Sequence, residues 1–334
     1  MSEHTLRYDV VGVGNAIVDV LAQVGDRFIT DHGLAKGSMT LIDAERATGL
    51  YELMPPAIEA SGGSAANTVA GVASFGSRAA YVGKVRDDQL GELFRHDLRA
   101  QGVAYDVALA PEGPPTARCL ILVTPDAERT MNTFLGISNL LEPADVDTEL
   151  VAACGVTYCE GYLWDVESAK QAMRLAMETA KRAGRKVALT LSDGFCVDRH
   201  RAEFVDLAEN YVDLLFANEA EICALYEVED PEVAIAKVAG HCEVAAVTRS
   251  AAGSVIVTAD QRVEVPAWST GTIVDTTGAG DLYAAGFLHG YSHGADLAEC
   301  GWFGSLAAGE VISHMGPRPR QPLDTLARTH PRRG

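Results

Sequence analysis

The sequence predicts an α/β protein: a mostly parallel central sheet flanked by helices, with a small second sheet acting as a lid. Three observations carry this. Short apolar runs of strand length alternate with longer helical patterns through most of the 334 residues, as strand–helix units of a parallel sheet do. Glycines and polar residues punctuate the C-terminal ends of the strands, where open sheets of this kind place their ligands. Residues 116–135 break the rhythm, because Thr116–Val123 and Arg129–Phe134, joined by Thr124-Pro125-Asp126-Ala127-Glu128, read as an antiparallel hairpin.

The first strand, Tyr8 to Val13, runs into Gly14-Asn15-Ala16-Ile17-Val18-Asp19. A dinucleotide-binding reading of Gly12-Val13-Gly14 fails at Ile17, where a third glycine is due, and apolar alternation continues through Val18, Val20 and Ala22. That alternation favours a second extended segment. Asp19 then sits on a sheet rim, equally suited to hydrogen-bond a diol or to face water. From Asp26 to Glu59 the pattern is broken into short helical pieces. Gly62-Gly63 then opens a helix of small residues that carries Asn67 and reaches Gly76. Glycines there imply close backbone approach to a ligand; tight helix packing is the alternative. Asn67 favours the ligand, since an amide on so apolar a helix wants a partner such as a sugar hydroxyl. A strand at Ala79 to Val82 and an amphipathic helix ending near Gly102 complete this half.

After residue 150 the elements follow regularly: strand Gly155 to Cys159, helix Asp165 to Ala183, strand Val187 to Leu191, helix Arg199 to Glu209, strand Leu214 to Phe216 and helix Glu219 to Tyr226. Asn218 and Glu221 have the spacing of a helix-capping pair and equally that of a site for hydrated Mg²⁺. Strands Val244 to Thr248, Ser254 to Thr258 and Arg262 to Val265 come next. Then Asp275-Thr276-Thr277-Gly278-Ala279-Gly280-Asp281 opens a small-residue apolar helix. Its first N–H groups lack internal partners and carry the positive end of the helix dipole, so the turn suits an anion such as phosphate. Asp281 is a carboxylate where a carboxylate repels that anion; it reads either as an acidic helix start or as a base for an attacking hydroxyl. A final helix spans Ala298 to His314, and Gly316-Pro317 is expected to end the ordered fold.

Composition sets bounds on function. With 46 acidic against 27 basic residues the formal net charge is -19, which excludes nucleic acid as a natural partner. No apolar stretch reaches membrane-span length and the N-terminus lacks a signal pattern, so a cytoplasmic protein without membrane contact is expected. Seven cysteines without a C-x-x-C pair read as reduced core residues. His289 and His293 lie four apart with no third ligand nearby, which makes a metal clasp a remote reading.

Four ordered motifs carry a family resemblance. Asp275 to Asp281 matches the D-T-x-G-A-G-D signature of the ribokinase or PfkB-type carbohydrate and nucleoside kinases, and Gly62-Gly63-Ser64 to Gly76 resembles their N-terminal signature. Asn218-x-x-Glu221 is similar to the N-x-x-E magnesium motif, and Thr248 with Gly253 to the nucleotide-loop pattern. Gly14-Asn15-Ala16-Ile17-Val18-Asp19 resembles the G-N-P-L-L-D opening of the adenosine kinase-like branch, with Ala16 in place of its proline. Leu191-Ser192-Asp193-Gly194-Phe195 resembles that branch's L-S-A-P-F segment, departing at Asp193 and Gly194. Arg86 stands where many members carry glycine.

The resemblance implies a ribokinase-like three-layer α/β/α fold. Its large domain would span about 8–15, 46–110 and 140–318, its lid about 16–45 and 111–139, and residues 319–334 would form a flexible basic tail. It implies ATP-dependent transfer to a primary hydroxyl of adenosine, of another purine nucleoside, or of a free sugar such as ribose or a ketohexose. Asp281 would be the base, and the turn at Gly278, Ala279, Gly280 and Asp281 would be the anion hole, with the N–H groups of Ala279 to Asp281 holding the phosphoryl charge. Asp19, Gly62, Gly63, Asn67, Asn15 and Phe134 would bind the acceptor. Arg129 would reach the transferring phosphate or simply stay solvated. ATP would lie against Asn218, Thr248, Gly253, Thr277 and Gly280, with Mg²⁺ at Asn218 and Glu221 and K⁺ near the 275–281 loop. The assembly would be a monomer or homodimer. The rivals are a Rossmann oxidoreductase, which predicts a nicotinamide requirement, and a non-catalytic sensor, which leaves Asp281 unexplained.

Overall fold

A computed structural model describes residues 6–332 except 127, 270 and 272. The N-terminal five residues and Arg333, on which parts of the leader and tail readings rest, lie outside these. Strand Tyr8–Val13 is central: it pairs in parallel with Ala79–Val82 on one side and Cys154–Glu160 on the other. Beyond Cys154–Glu160 the sheet continues through Lys186–Thr190, Leu214–Asn218 and Val244–Thr248, all parallel. The antiparallel strands Ser254–Val257 and Arg262–Val265 form that edge; the short Val103–Ala104 forms the other. Successive side chains point to opposite faces, so Val10 joins one buried cluster and Val11 and Val13 another. Helices cover both faces, giving three layers. This is why the strands read as unbroken apolar runs rather than alternating ones.

The second sheet has the order Met39–Leu41, Arg129–Phe134, Ala117–Val123, Ile17–Gln23, Ile58–Gly62. Its hairpin and its Ile17–Gln23 strand form the small second sheet that the sequence predicts. Ile58–Gly62 does not: the sequence places it in the large domain, yet it pairs antiparallel with Ile17–Gln23 as a sheet edge. Its Ile-Glu-Ala-Ser-Gly sequence has weak strand propensity, and the neighbouring strand supplies the order. As a result Gly62-Gly63 marks the crossing from small sheet to large domain, and helix Ser64–Ser74 begins directly after it.

Helix Ser64–Ser74 crosses helix Ala279–Ser292 closely, since a Cβ on Gly71 would stand 2.6 Å from both Ala285 Cβ and Leu282 Cδ1. Ordered structure also continues past Gly316-Pro317. A helix, Leu323–Thr329, docks with Leu323 and Leu326 buried, and the Leu323 N–H donates to Ser74 Oγ at 3.0 Å. Two leucines three apart give this short segment an apolar face, which the basic residues around it disguise. Among the described residues no helix is long and apolar enough to cross a membrane.

The docked tail gives a stability prediction. Leu326→Ala should lower the unfolding free energy in denaturant titrations by about 2–4 kcal/mol; an unchanged midpoint would mean that the tail is not part of the folded unit.

Candidate active site

The turn before helix Ala279–Ser292 is set by Gly278, which adopts φ 76° as the residue before the helix and has Pro317 packed 2.8 Å from where a Cβ would stand. Any other residue would be strained there. The Ala279 N–H is bonded to Thr276 O at 3.2 Å. Among the described residues, the N–H groups of Gly280 and Asp281 have no acceptor, so the anion-binding donors are narrower than the predicted Ala279–Asp281 set. Gly280 is exposed, with open space beside it.

Asp281 does not cap its own helix. Its carboxylate reaches across to helix Ser64–Ser74, where Ser64 Oγ donates to Oδ1 at 2.6 Å and Asn67 Nδ2 donates to Oδ2 at 2.9 Å. Burial raises its carboxyl above the ordinary value, while those two bonds and the charge of Arg318 pull the other way. Asn67 Oδ1 is buried with no partner among the described residues, leaving one acceptor for a ligand hydroxyl.

Asp19 is 7% exposed, and none of the described residues hydrogen-bonds its carboxylate. Burial pushes it up to about 7, with Arg318 and Arg129 opposing and Asp281 and Asp275 adding to the rise. Gly62 explains how it fits, because a Cβ there would collide with the Asp19 carboxyl. Gly63 lies beneath the Asn15 carbonyl in the same manner. Both glycines therefore make room for neighbouring protein groups. In the small sheet Asp19 lies opposite Cys119, and Cys119 opposite Thr133; the same face carries Ile17, Leu21, Ile121 and Met131, clustered with Met315. Register puts Phe134 with Arg118 and Val18, on the face away from Asp19, so Phe134 does not join the site.

Arg129 is not solvated. It is buried in an ion pair with Asp275, 2.8 Å from NH1 to Oδ1, and its Nε and NH2 groups have no partner among the described residues. Asp275 also accepts from the N–H groups of Thr277 and Gly316, each at 2.9 Å. Burial alone would raise the Asp275 carboxyl, but these two donors and the guanidinium hold it below the ordinary range. A monovalent cation at this carboxylate would thus meet a charge already neutralised.

Asn218 and Glu221 form a reciprocal cap: Asn218 Oδ1 accepts from the Glu221 N–H at 2.8 Å, and Glu221 accepts from the Asn218 N–H and Nδ2 at 2.9 and 2.7 Å. Burial pushes Glu221 up to about 7, helped by Asp193 and Asp281. With both oxygens engaged, Glu221 fits a hydrated metal through water better than a bare one. No group of three or more His, Cys, Asp or Glu among the described residues is placed to ligate a metal directly. Thr248 lies in register with Asn218 on the adjacent strand, and Gly253 closes the next turn against the Val265 carbonyl, so all three share the C-terminal edge of the sheet.

Residues 57–324 match the pfkB family of carbohydrate kinases. The chain belongs to that family. This kinase is 55% identical to the adenosine kinase from Sinorhizobium meliloti, over 97% of this chain and 99% of that one, with a TM-score of 0.91. It is 51% identical to a probable sugar kinase protein from Rhizobium etli CFN 42, with the same coverage and a TM-score of 0.92. Adenosine kinase 1 from Arabidopsis thaliana is 26% identical, over 92% of this chain and 94% of that protein. The kinase is therefore a phosphotransferase with an alcohol acceptor, in the adenosine kinase-like branch.

Sequence reasoning missed three residues of the kinase's site. Glu160, at the end of its strand, accepts from the Asn15 N–H at 2.7 Å, Asn15 Nδ2 at 2.8 Å and the Ala65 N–H at 2.9 Å, and burial pushes it up to about 7. Asn15, expected at the acceptor, is thereby built into the scaffold, with its Oδ1 accepting from Ser138 Oγ at 3.1 Å. A carboxylate ending an apolar strand was the available signal. Ser64 lies inside the N-terminal signature and Arg318 at the end of the expected large domain, and neither has a role implied by its local sequence.

Asp19 yields a pH prediction. Its folded value near 7 lies above the ordinary 3.8, so the folded state binds the extra proton and Asp19 costs stability as pH rises through that window. Asp19→Asn should therefore leave the melting temperature unchanged near the lower end of the window. Above its upper end the variant should gain on the order of 4 kcal/mol. A pH-independent difference would refute the buried-carboxylate account.

Proposed function

We propose that this kinase transfers the γ-phosphoryl group of ATP to the primary hydroxyl of a nucleoside, with adenosine the first candidate. The observation that carries this is the Asp281 carboxylate, fixed by Ser64 and Asn67 beside the unpaired N–H groups of Gly280 and Asp281. A base and an anion hole on one helix turn are the two things a hydroxyl-to-phosphate transfer needs from the protein. The 55% identity to the Sinorhizobium meliloti adenosine kinase supports the choice of nucleoside.

Asp19 and the free Asn67 oxygen would take sugar hydroxyls, since both are buried acceptors lacking a protein donor. The apolar face around Asp19, formed by Ile17, Leu21, Ile121 and Met131, suits a flat aromatic base better than a free sugar with hydroxyls all round. Asp281 would then take the proton from the acceptor hydroxyl, and its raised pKa makes it a more effective base than an ordinary carboxylate. The unpartnered Nε and NH2 of Arg129 would meet the phosphoryl oxygens from the lid side. Asn218, Thr248 and Gly253 would line the nucleotide's side, and Glu221 would hold the waters of a Mg²⁺ ion. Bound Mg²⁺ supplies charge neutralisation at the phosphates. A sugar acceptor is the second reading, supported by the Rhizobium etli relative that is a probable sugar kinase.

An ATP-coupled assay over nucleosides and sugars separates the two. Adenosine should give the highest kcat/KM, at least about tenfold above ribose or a ketohexose, a margin of roughly 1.4 kcal/mol in transition-state binding. A sugar outrunning every nucleoside would replace the first reading with the second.

A further inference from the structure

Arg318 follows Pro317, which packs on the anion turn at Gly278, and its guanidinium enters the site between the two sheets. Nε donates to Ser61 O at 3.2 Å and NH1 to Ala66 O at 2.6 Å. NH2 reaches Ser61 O at 3.0 Å and Ser61 Oγ at 3.1 Å. Ser61 lies in the edge strand of the small sheet, whereas Ala66 lies in the first turn of helix Ser64–Ser74 in the large domain. From a third element, helix Gln89–Ala100, the Asp97 carboxylate accepts from Ser61 N–H at 2.8 Å and Ser61 Oγ at 2.6 Å. One side chain thus grips both sides of the Gly62-Gly63 crossing. Between its two anchors lie Gly62, packed on the Asp19 carboxyl, and Ser64, bonded to Asp281; Asn67 follows directly.

We propose that Arg318 is a positioning residue for phosphoryl transfer: by clamping Ser61 to Ala66 across the Gly62-Gly63 crossing, it fixes Asp19 of the small sheet against Asp281 of the large domain. The inference rests on the reading of this site as a kinase site acting on a hydroxyl. A guanidinium suits the task because its rigid planar fork can serve two carbonyls in different directions, which an ammonium on a flexible stem does poorly. Without the clamp, the crossing is two glycines with no side chains to restrain them.

The charge has a second effect. Arg318 faces Asp97, Asp19, Asp281 and Tyr81, and it holds Asp19 and Asp281 lower than burial alone would leave them. Asp281 also faces Glu160, Glu221, Tyr158 and Tyr162, and Asp19 faces Arg129 and Asp275. Apart from Arg129, these neighbours are acids or phenols, so with Arg318 gone only the Ser64 and Asn67 hydrogen bonds still oppose protonation of Asp281.

The test uses the full-length protein carrying Arg318→Met, Arg318→Lys or Ser61→Ala. It reads KM for acceptor and for ATP, kcat across pH, and amide hydrogen exchange over residues 58–67. Arg318→Met should lower kcat/KM for the acceptor by about 10- to 100-fold, the cost of roughly 1 Å of misplacement, with the KM for ATP within about twofold of wild type. Its acid limb should move to higher pH, because the base protonates more readily. Arg318→Lys should restore the acid limb but not the acceptor kcat/KM, which separates charge from geometry. Exchange at 58–67 should rise while strand Tyr8–Val13 keeps its protection. If Arg318→Met does not fold, Ser61→Ala carries the test, with a smaller change of the same sign. Wild-type acceptor kinetics and wild-type exchange in Arg318→Met overturn the proposal, as does an equal loss for ATP and acceptor with protection falling everywhere. If the wild-type protein phosphorylates no nucleoside or sugar, the functional reading fails separately, and the exchange at 58–67 alone decides whether Arg318 clamps the crossing.

Discussion

The site depends on one interaction across two helices, the Asp281 carboxylate held by Ser64 and Asn67. Hydrogen bonds to a carboxylate contribute about 1.5–3 kcal/mol each, enough to keep a half-buried acid aimed away from its own helix dipole. Much of the surrounding sequence is what this contact requires. The helices must approach closely, so Gly71 faces Leu282 and Ala285. The turn must deliver Asp281 at the right angle, so Gly278 takes a left-handed conformation under Pro317. The crossing at Gly62-Gly63 must bring Ser64 within reach, and Glu160 steadies that helix start through the Ala65 N–H.

Charge around the contact is distributed with a consistent sign. Asp19, Glu160 and Glu221 are each pushed up to about 7 by burial, and Asp281 is raised for the same reason. Asp275 alone among the site's acids is held low, because two N–H groups and Arg129 compensate its burial. The buried acids differ in what they do with their lone pairs. Glu160 and Glu221 spend theirs on N–H groups of the scaffold, whereas Asp19 keeps its own free. An unpaired buried carboxylate costs stability, and a binding site is the ordinary reason for a fold to carry one.

The amino-acid pattern made the large sheet legible because parallel strands covered on both faces must be continuous apolar runs, as in Val244–Thr248. The anion turn was legible because glycine at a helix start has few other uses. Other elements carried no local signal. Ile58–Gly62 is a strand only because Ile17–Gln23 lies beside it. Asn15 reads as a free amide until Glu160, 145 residues away, claims it. Arg318 reads as one more charge at the end of the large domain until the chain folds back and places it against Ser61 and Ala66, more than 250 residues earlier. In each case the deciding partner is distant in sequence, which residue types and spacing cannot reveal.

The central claim is that Asp281 acts as the base while Ser64 and Asn67 only aim it. Asp281→Asn preserves the shape and can still accept from Ser64, but it cannot take a proton. Acceptor binding by calorimetry and phosphoryl transfer by single-turnover assay, measured on the same variant, test this most directly. The account predicts acceptor affinity within a few-fold of wild type and transfer slower by about 10²- to 10⁴-fold. Transfer at near wild-type rate, with binding intact, would contradict it.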